Sequence, residues 1–294
     1  MTIAAQKGAI SMSDFFNTLT DPSINFLRYA LIAGLLASVA FGVIGSYVVV
    51  KRITYIAGAI AHCVLGGIGA ALFFSQRSGL HWLTPMTGAV LAALAAALII
   101  GLVSIHAEER EDSVISALWV TGMAAGIMFM AKTPGYIDPM SYLFGNILMI
   151  SQTDLWVILA LDTCVVTLGI LFYNKMLAVC FDEEFARLRG VHTRFYFLLL
   201  LCLTALTIVL MIRIVGIVLV IALFSLPAAV AGHFSSRLWQ MMAISTLLSM
   251  FYVAAGLAVS YGPNLPSGAT IVMIAGLSYL LVMTGTMLRR KRHA

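Results

Sequence analysis

Three side chains within long apolar runs of this sequence are the candidate ligands for a divalent metal ion: His62, Cys63 and Asp162. A neutral imidazole suits zinc and, less selectively, manganese or ferrous iron, whereas a thiolate favours zinc. An ionisable side chain is costly inside an apolar run of membrane-spanning length, and its presence there indicates function. Metal binding is therefore the first chemistry to consider.

Each of the three residues also has a simpler interpretation. A buried histidine can hydrogen-bond to a backbone carbonyl group. Cys63 lies about 100° round a helix from His62 and can serve as a small buried apolar residue. Asp162 can accept an interhelical hydrogen bond without touching a metal. On the sequence alone, both interpretations of each residue remain open.

A second candidate region is the charged, amphipathic stretch from Cys180 to Gly190, which lies between long apolar segments. In a helix, Phe181 and Phe185 stand on one face at four-residue spacing, with charged side chains around them. An amphipathic helix of this kind is typical of a segment that docks on a partner in water. The alternative is a solvated loop at the membrane interface.

The elements that must position these residues follow from the composition. Of 294 residues, 62% are hydrophobic and only 10% are charged, which excludes a soluble globular domain. Apolar runs of roughly 20 residues indicate helices rather than strands of a barrel. We therefore predict an all-α polytopic membrane protein with about nine transmembrane helices, at 26–50, 55–75, 82–106, 114–132, 154–174, 195–212, 214–233, 238–261 and 266–288.

The basic loops predict the orientation. Lys51 and Arg52, the loop at 175–194 and the Arg-rich end of the chain should all be cytoplasmic, which places the C-terminus inside. The net charge of +5 is then explained by membrane anchoring and not by nucleic-acid binding. We predict an N-terminal surface segment at 1–25, outside the cell, a transmembrane domain at 26–288 and a basic cytoplasmic tail at 289–294. Residues 142–150 are apolar but too short to cross and are predicted to be re-entrant or interfacial.

The sequence contains no Gly-x-x-x-x-Gly-Lys-Ser/Thr phosphate-binding loop. This chain therefore does not bind ATP by that mechanism. If ATP drives its function, a separate chain must hydrolyse it.

Four segments, taken in order, resemble a known family. Phe-Asp-x-x-x-Ala-x-x-x-Gly and Gly-x-x-Leu-x-x-Ala-Leu-x-x-x-Pro-Ala-x-x-Ala are specific when they occur together. With the two segments that precede them, these patterns resemble the permease subunits of bacterial ABC importers for zinc, manganese and ferrous iron, the metal ABC-3 type. The four segments are residues 45–62, 142–148, 181–190 and 216–231.

The resemblance implies a type II ABC-importer-like fold and a homodimer in the bacterial cytoplasmic (inner) membrane. It also implies two copies of a cytoplasmic ABC ATPase, a periplasmic or lipoprotein metal-binding protein, and no permanently bound cofactor. This chain would be a transporter subunit and not an enzyme. The segment at about 181–191 would form the coupling helix, with the ATPase contacted by Phe181, Asp182, Glu184, Phe185, Arg187 and Gly190.

The sequence departs from the family at one position. The family typically reads Asp-x-x-x-His in the second span, but the residue four before His62 is Gly58. The missing carboxylate can come from Asp162, be replaced by a Cys63 thiolate, or have no replacement if the ion only passes through. Because histidine and cysteine remain, zinc is the first choice of transported metal, with manganese and ferrous iron as alternatives.

Gly216 and Pro227 are candidates for a moving part of the seventh span. Proline leaves a helical carbonyl without its amide donor and can kink the helix, although membrane helices often tolerate it. Two other classes of protein fit less well. An ion-coupled secondary carrier would need several paired ionisable groups within the membrane and an internal repeat, and a membrane metalloenzyme would need clustered ligands.

Overall fold

The computed structural model describes residues 25–80, 82–106, 111–135, 142–143, 145, 150, 152–261 and 265–293. The predicted surface segment at 1–25, apart from its last residue, and most of the predicted re-entrant segment at 142–150 lie outside these ranges. The side predicted for the N-terminus therefore stays a prediction.

Within the described residues the chain is built from helices. They are α1 (Asn25–Lys51), α2 (Thr54–Ser78), α3 (Pro85–His106), α4 (Glu111–Lys132), α5 (Gln152–Leu171), α6 (Tyr173–Phe181), α7 (Glu183–Leu188), α8 (Thr193–Val215), α9 (Ile217–Phe234), α10 (Leu238–Tyr261) and α11 (Ser267–His293). In this part of the chain, nine of them are long and apolar enough to cross a membrane, all except α6 and α7. This confirms the all-α polytopic class and the predicted set of spans.

Three helices form the centre of the bundle. Helix α1 packs against α5, α8, α9 and α10, and α2 packs against α3, α4, α8 and α9. The third central helix, α8, is largely buried, whereas α4, α5 and α11 lie at the periphery with most of their surface exposed. The metal-ligand candidates thus lie on two kinds of helix. Helix α2 is one of the three central helices, and α5 is a peripheral helix that packs against α1.

Small residues set the distance between α2 and α4. A Cβ atom added to Gly66 would lie 2.8 Å from the carbonyl oxygen of Gly122, and Gly69 approaches the carbonyl oxygen of Gly126 still more closely. Backbones can approach this closely in a membrane only where side chains are absent or small. Gly122 and Gly126, four residues apart on α4, therefore mark a line of close packing against α2.

The structure differs from the predicted elements at two places. The coupling segment is not one helix, because Asp182 has an extended backbone (φ −149°, ψ 97°) that separates α6 from α7. At the other end of the chain, the backbone of α11 stays helical through His293, so no break separates the last span from the basic tail.

Candidate metal site and docking surface

His62 stacks on a tryptophan that the sequence did not indicate as its neighbour. Helix α2 carries His62 and α4 carries Trp119, and their ring centroids are 4.7 Å apart with 24° between the planes. Both side chains are half-buried. The Nδ1 atom of His62 is buried and has no hydrogen-bond partner among the described residues. A ring nitrogen in this condition is available to a ligand that enters the site.

Gly58 lies one helical turn before His62, on the same face of α2. A Cβ atom built on Gly58 would lie 2.8 Å from both Cζ3 and Cη2 of Trp119. The indole therefore fills the space in which a side chain at position 58 would stand. The carboxylate that the family resemblance places there is absent, and a tryptophan ring takes its volume.

Cys63 is directed toward the backbone of α4. Its thiol lies 3.2 Å from the carbonyl oxygen of Leu118 and donates a hydrogen bond to it. Its Cα and Sγ atoms lie 2.8 and 3.0 Å from a Cβ atom added to Gly122. This geometry fits the packing interpretation of Cys63, since the thiol already has a partner.

Asp162 is only 6% exposed and accepts a hydrogen bond from the backbone N–H of Ala40 on α1, with an N···O distance of 3.1 Å. The contact joins α5 to α1, whereas the ring of His62 rests on α4. The structure therefore does not show Asp162 as a partner of His62. Among the residues that the structure describes, no group of three or more His, Cys, Asp or Glu side chains lies close enough to hold a metal ion.

Helix α7 begins at a side-chain cap. The Asp182 carboxylate accepts a hydrogen bond from the backbone N–H of Phe185 at 2.9 Å, and Glu183 and Glu184 follow in the first turn. Acidic side chains at a helix N-terminus stabilise it by satisfying free N–H groups and by opposing the helix dipole. The sequence prediction that Phe181 and Phe185 share one helix face was wrong, because Asp182 ends α6 at Phe181 and starts α7.

Although they lie on different helices, both rings are exposed outside the spans. Phe181 is 68% exposed and Phe185 is 51% exposed, and Leu188, which the sequence analysis did not single out, is 87% exposed. On the opposite face of α7, Ala186 is 1% exposed and packs inward. Phe181 and Phe185 line a groove together with Trp239, at the start of α10. We call this set of exposed apolar side chains (Phe181, Phe185, Leu188 and Trp239) the docking surface.

The remaining predicted coupling residues flank this surface. Arg187 lies 3.9 Å from Glu183, and Glu184 faces a polar cavity that Arg52 and Arg187 also line. Gly190 ends the segment with φ +77°, a backbone conformation that glycine adopts without a steric cost. The N–H of Val191 then donates to the carbonyl oxygen of Ala186 at 3.0 Å, which closes the C-terminal turn of α7.

One residue that ties the docking surface to the spans was missed as a functional residue. Lys51, the last residue of α1, lies 3.1 Å from Glu183 Oε2 and donates to the carbonyl oxygen of Val179 at 3.0 Å. From the sequence, Lys51 is expected only to anchor the chain at the membrane surface. No local pattern connects it with Glu183, which is far away in the chain.

Cys180, between Val179 and the docking surface, is buried beside Lys51. Burial raises the pKa of its thiol to about 12, although the charge of Lys51 acts in the opposite direction. The thiol is therefore neutral at physiological pH.

Gly216 and Pro227 occupy the positions that the gating hypothesis requires, but their role remains a hypothesis. Gly216 has φ 81° and ψ 165° and separates α8 from α9. Pro227 is buried within α9, whose helical assignment continues through it. One turn before Pro227, the carbonyl oxygen of Phe224 packs directly against Gly45 of α1. The carbonyl group that lacks its donor because of Pro227 is that of Leu223, so α9 touches the central helix at the residue that follows the gap in its hydrogen-bond ladder.

These features define a class of protein: a multi-span helical membrane protein with a half-buried histidine in its second span and a short, capped helix outside the spans that exposes Phe185 and Leu188. Comparison with known proteins identifies the family. Residues 23–286 match the family model described as the ABC 3 transport family. The chain belongs to this family and has the fold of an ABC transporter permease.

Relatives and a solved structure agree with this assignment. The chain is 40% identical to an uncharacterized membrane protein of Synechocystis sp., over 87% of this chain and 89% of the relative. It is 33% identical to the manganese transport system membrane protein MntC of Halalkalibacterium halodurans, over 92% and 90% of the two chains. The structure of PsaBC from Streptococcus pneumoniae in complex with Fab covers 92% of this chain and 95% of its own, with a TM-score of 0.81 and 27% identity.

Proposed function

We propose that this chain is the permease subunit of an ATP-driven importer of a divalent transition-metal ion in the bacterial cytoplasmic membrane. The observation that carries the proposal is the docking surface, in which α6 and the capped helix α7 expose apolar side chains outside the spans, next to the start of α10. Large exposed apolar side chains indicate a protein partner. Since the chain has no phosphate-binding loop, that partner is the ATPase.

The basic residues support the orientation in this proposal. Lys51, Arg52, Arg187 and Arg194 line one cavity beside the docking surface, and the chain ends in a further run of basic residues. Basic residues collect on the cytoplasmic side of membrane proteins, where the ATPase is found. The docking surface and the C-terminus therefore both face the cytoplasm.

We further propose that a second copy of the chain packs along α4. The exposed residues of α4 include small or hydroxyl-bearing ones (Ser116, Ala117, Thr121 and Ala124) as well as the larger Val120, Ile127 and Met128. The exposed face of α11 is instead made of Leu277, Leu281 and similar bulky side chains that suit lipid. Helix interfaces in membranes favour small residues, so α4 is the better candidate for the homodimer interface.

The homodimer arrangement also explains how His62 takes part in transport. Within the part of the chain that the structure describes, the residues around His62 do not make a closed metal site, and Trp119 joins the histidine to α4. If two α4 helices meet, the His62 side chains of both copies lie near the shared interface. We propose that the ion is delivered by a metal-binding protein on the outer face and passes His62 on its way inward, driven by alternation between two access states.

Two observations bear on the transported metal. The name of the MntC relative favours manganese. The absence of a carboxylate one turn before His62 favours zinc, because manganese prefers oxygen ligands whereas imidazole nitrogen suits zinc. Manganese and zinc are therefore both candidates for the transported metal ion, and ferrous iron is a third.

The test is elemental analysis of the native organism after deletion of this gene, with all three metals limiting. Cells complemented with the wild-type chain should regain one of the metals, and cells complemented with His62→Ala should not. Regain of manganese or zinc decides between the two candidates. If deletion changes the content of none of the three metals, the proposed cargo is wrong.

A further inference from the structure

Gly58, His62 and Trp119 contact one another, and the effect of this arrangement goes beyond the absence of a carboxylate at position 58. At position 58 there is no room for a side chain while the indole keeps its place, because a Cβ atom there would lie 2.8 Å from two ring carbons. The same indole stacks on the imidazole of His62 at 4.7 Å. One aromatic ring thus excludes a side chain from position 58 and holds the histidine ring at position 62.

The indole cannot move aside by a simple separation of the helices. Helices α2 and α4 are in close backbone contact at Gly66 with Gly122, and at Gly69 with Gly126. Contacts between glycine backbones leave no flexible side chain to absorb a shift. A larger residue at position 58 therefore displaces the Trp119 ring, and that displacement disturbs the stack on His62.

The electrostatic consequence concerns the ion. His62 and Asp162 contact different helices, and no acidic side chain fits one turn before His62. The buried Nδ1 atom of His62 has no partner among the described residues. The site therefore offers nitrogen without a fixed negative charge. Such a site binds a borderline cation such as Zn²⁺ better, relative to a hard one such as Mn²⁺, than a carboxylate–imidazole pair would.

We propose that Gly58 and Trp119 form a single specificity element for the transported ion, with Trp119 positioning the His62 ring and Gly58 keeping a carboxylate out. The inference rests on the proposed function. It assigns roles to two residues that act together: neither can be changed to admit a carboxylate without the other. It also predicts the direction of the change in selectivity whichever metal the wild-type chain prefers.

The experiment measures competitive uptake of ⁶⁵Zn and ⁵⁴Mn in the deletion strain complemented with each variant, with the amount of protein in the membrane measured by immunoblot. Gly58→Asp alone should lower uptake of both ions by about tenfold, because the clash displaces Trp119 from His62. The double variant Gly58→Asp with Trp119→Ala gives the carboxylate room but still lacks the ring that positions His62, so its total uptake should remain below that of wild type. Its ratio of manganese to zinc uptake should rise on the order of tenfold over the wild-type ratio.

The matched control is Gly58→Ala with Trp119→Ala, which removes the same ring and adds the same Cβ atom but no charge. Its manganese-to-zinc ratio should stay within about twofold of wild type, which separates the effect of the carboxylate from the effect of the cavity. Trp119→Phe, which retains an aromatic ring, should preserve most of the uptake.

Three results would overturn the inference. One is wild-type uptake and ratio in Gly58→Asp alone, which would show that the indole does not exclude the side chain. The others are an unchanged ratio in the double variant with Asp, or an equal change in its Ala control. If instead the wild-type chain itself restores no metal uptake, the proposed function is wrong, and the specificity element, which depends on it, is wrong as well.

Discussion

Lys51 joins the end of α1 to the start of α7, with its ammonium group 3.1 Å from the carboxylate of Glu183. The same ammonium group also holds the carbonyl oxygen of Val179 at the end of α6. Helix α1 packs against four other spans. A displacement of α7 by a partner would therefore be transmitted directly to one of the three central helices of the bundle.

We expect Lys51→Met to reduce ATP-dependent metal uptake by roughly fivefold, the effect of losing about 1 kcal/mol from the connection. Insertion in the membrane should be unchanged, because Lys51 lies at the end of its span. The matched test is the charge exchange, Lys51→Glu with Glu183→Lys, which should recover part of the uptake lost in either single variant. Equal uptake in Lys51→Met and wild type would show that the contact between Lys51 and Glu183 does not transmit motion from α7 to α1.

Phe185→Ala should reduce uptake by at least about tenfold, since an aromatic side chain at the centre of an interface commonly contributes 2 kcal/mol or more to binding. The ring is 51% exposed. Its removal should change the free energy of unfolding by no more than about 0.5 kcal/mol. Copurification of the ATPase with the permease measures the docking directly.

A control for that variant is Trp82→Ala, which removes an exposed aromatic side chain from the connection between α2 and α3. Both the uptake and the copurification of the ATPase should match wild type in this variant. If Phe185→Ala copurifies with the ATPase at the wild-type level, the ATPase does not dock on α7 through Phe185.

Gly190→Ala should lower stability for a purely conformational reason. The φ angle of Gly190 is +77°, yet a Cβ atom there would meet nothing within 4 Å. The left-handed conformation costs an L-residue about 1 kcal/mol. The midpoint of thermal unfolding in detergent should fall by about 2 °C.

The matched control for Gly190→Ala is Gly276→Ala in α11, where a Cβ atom also has open space but φ is not positive. This variant should be neutral or slightly stabilising, because alanine favours a helix interior more than glycine does. A loss of stability equal to that of Gly190→Ala would remove the conformational explanation.

Much of the fold was predictable because long apolar runs and basic loops are local properties of the sequence. The spans at 26–50 and 238–261 were predicted within about one residue of α1 and α10. The break at Asp182 was missed even though an aspartate followed by two glutamates is an N-cap signal. The pairing of Phe181 with Phe185 was assumed from spacing, and spacing cannot show where one helix stops and the next begins.

The contacts of the candidate site depend on residues far apart in the chain. The sequence shows that position 58 has no side chain, but only the crossing of α2 and α4 shows that Trp119 fills the space. The partner of Lys51 is 132 residues away, and the partner of Asp162 is 122 residues away. No periodicity within one helix records such contacts, because they depend on how the helices rotate and cross.

His62→Ala should lower metal uptake far more than Asp162→Asn. Asparagine keeps an oxygen that can accept the N–H of Ala40, so Asp162→Asn preserves the contact between α1 and α5 while it removes the charge. Uptake in this variant should stay within about twofold of wild type, since a hydrogen bond of this kind contributes about 1 kcal/mol. His62→Ala removes the ring nitrogen that has no partner among the described residues, together with the surface on which Trp119 rests. Initial rates of uptake at equal amounts of protein in the membrane decide between the two residues, and a larger loss in Asp162→Asn would place the ion path along α5 instead of α2.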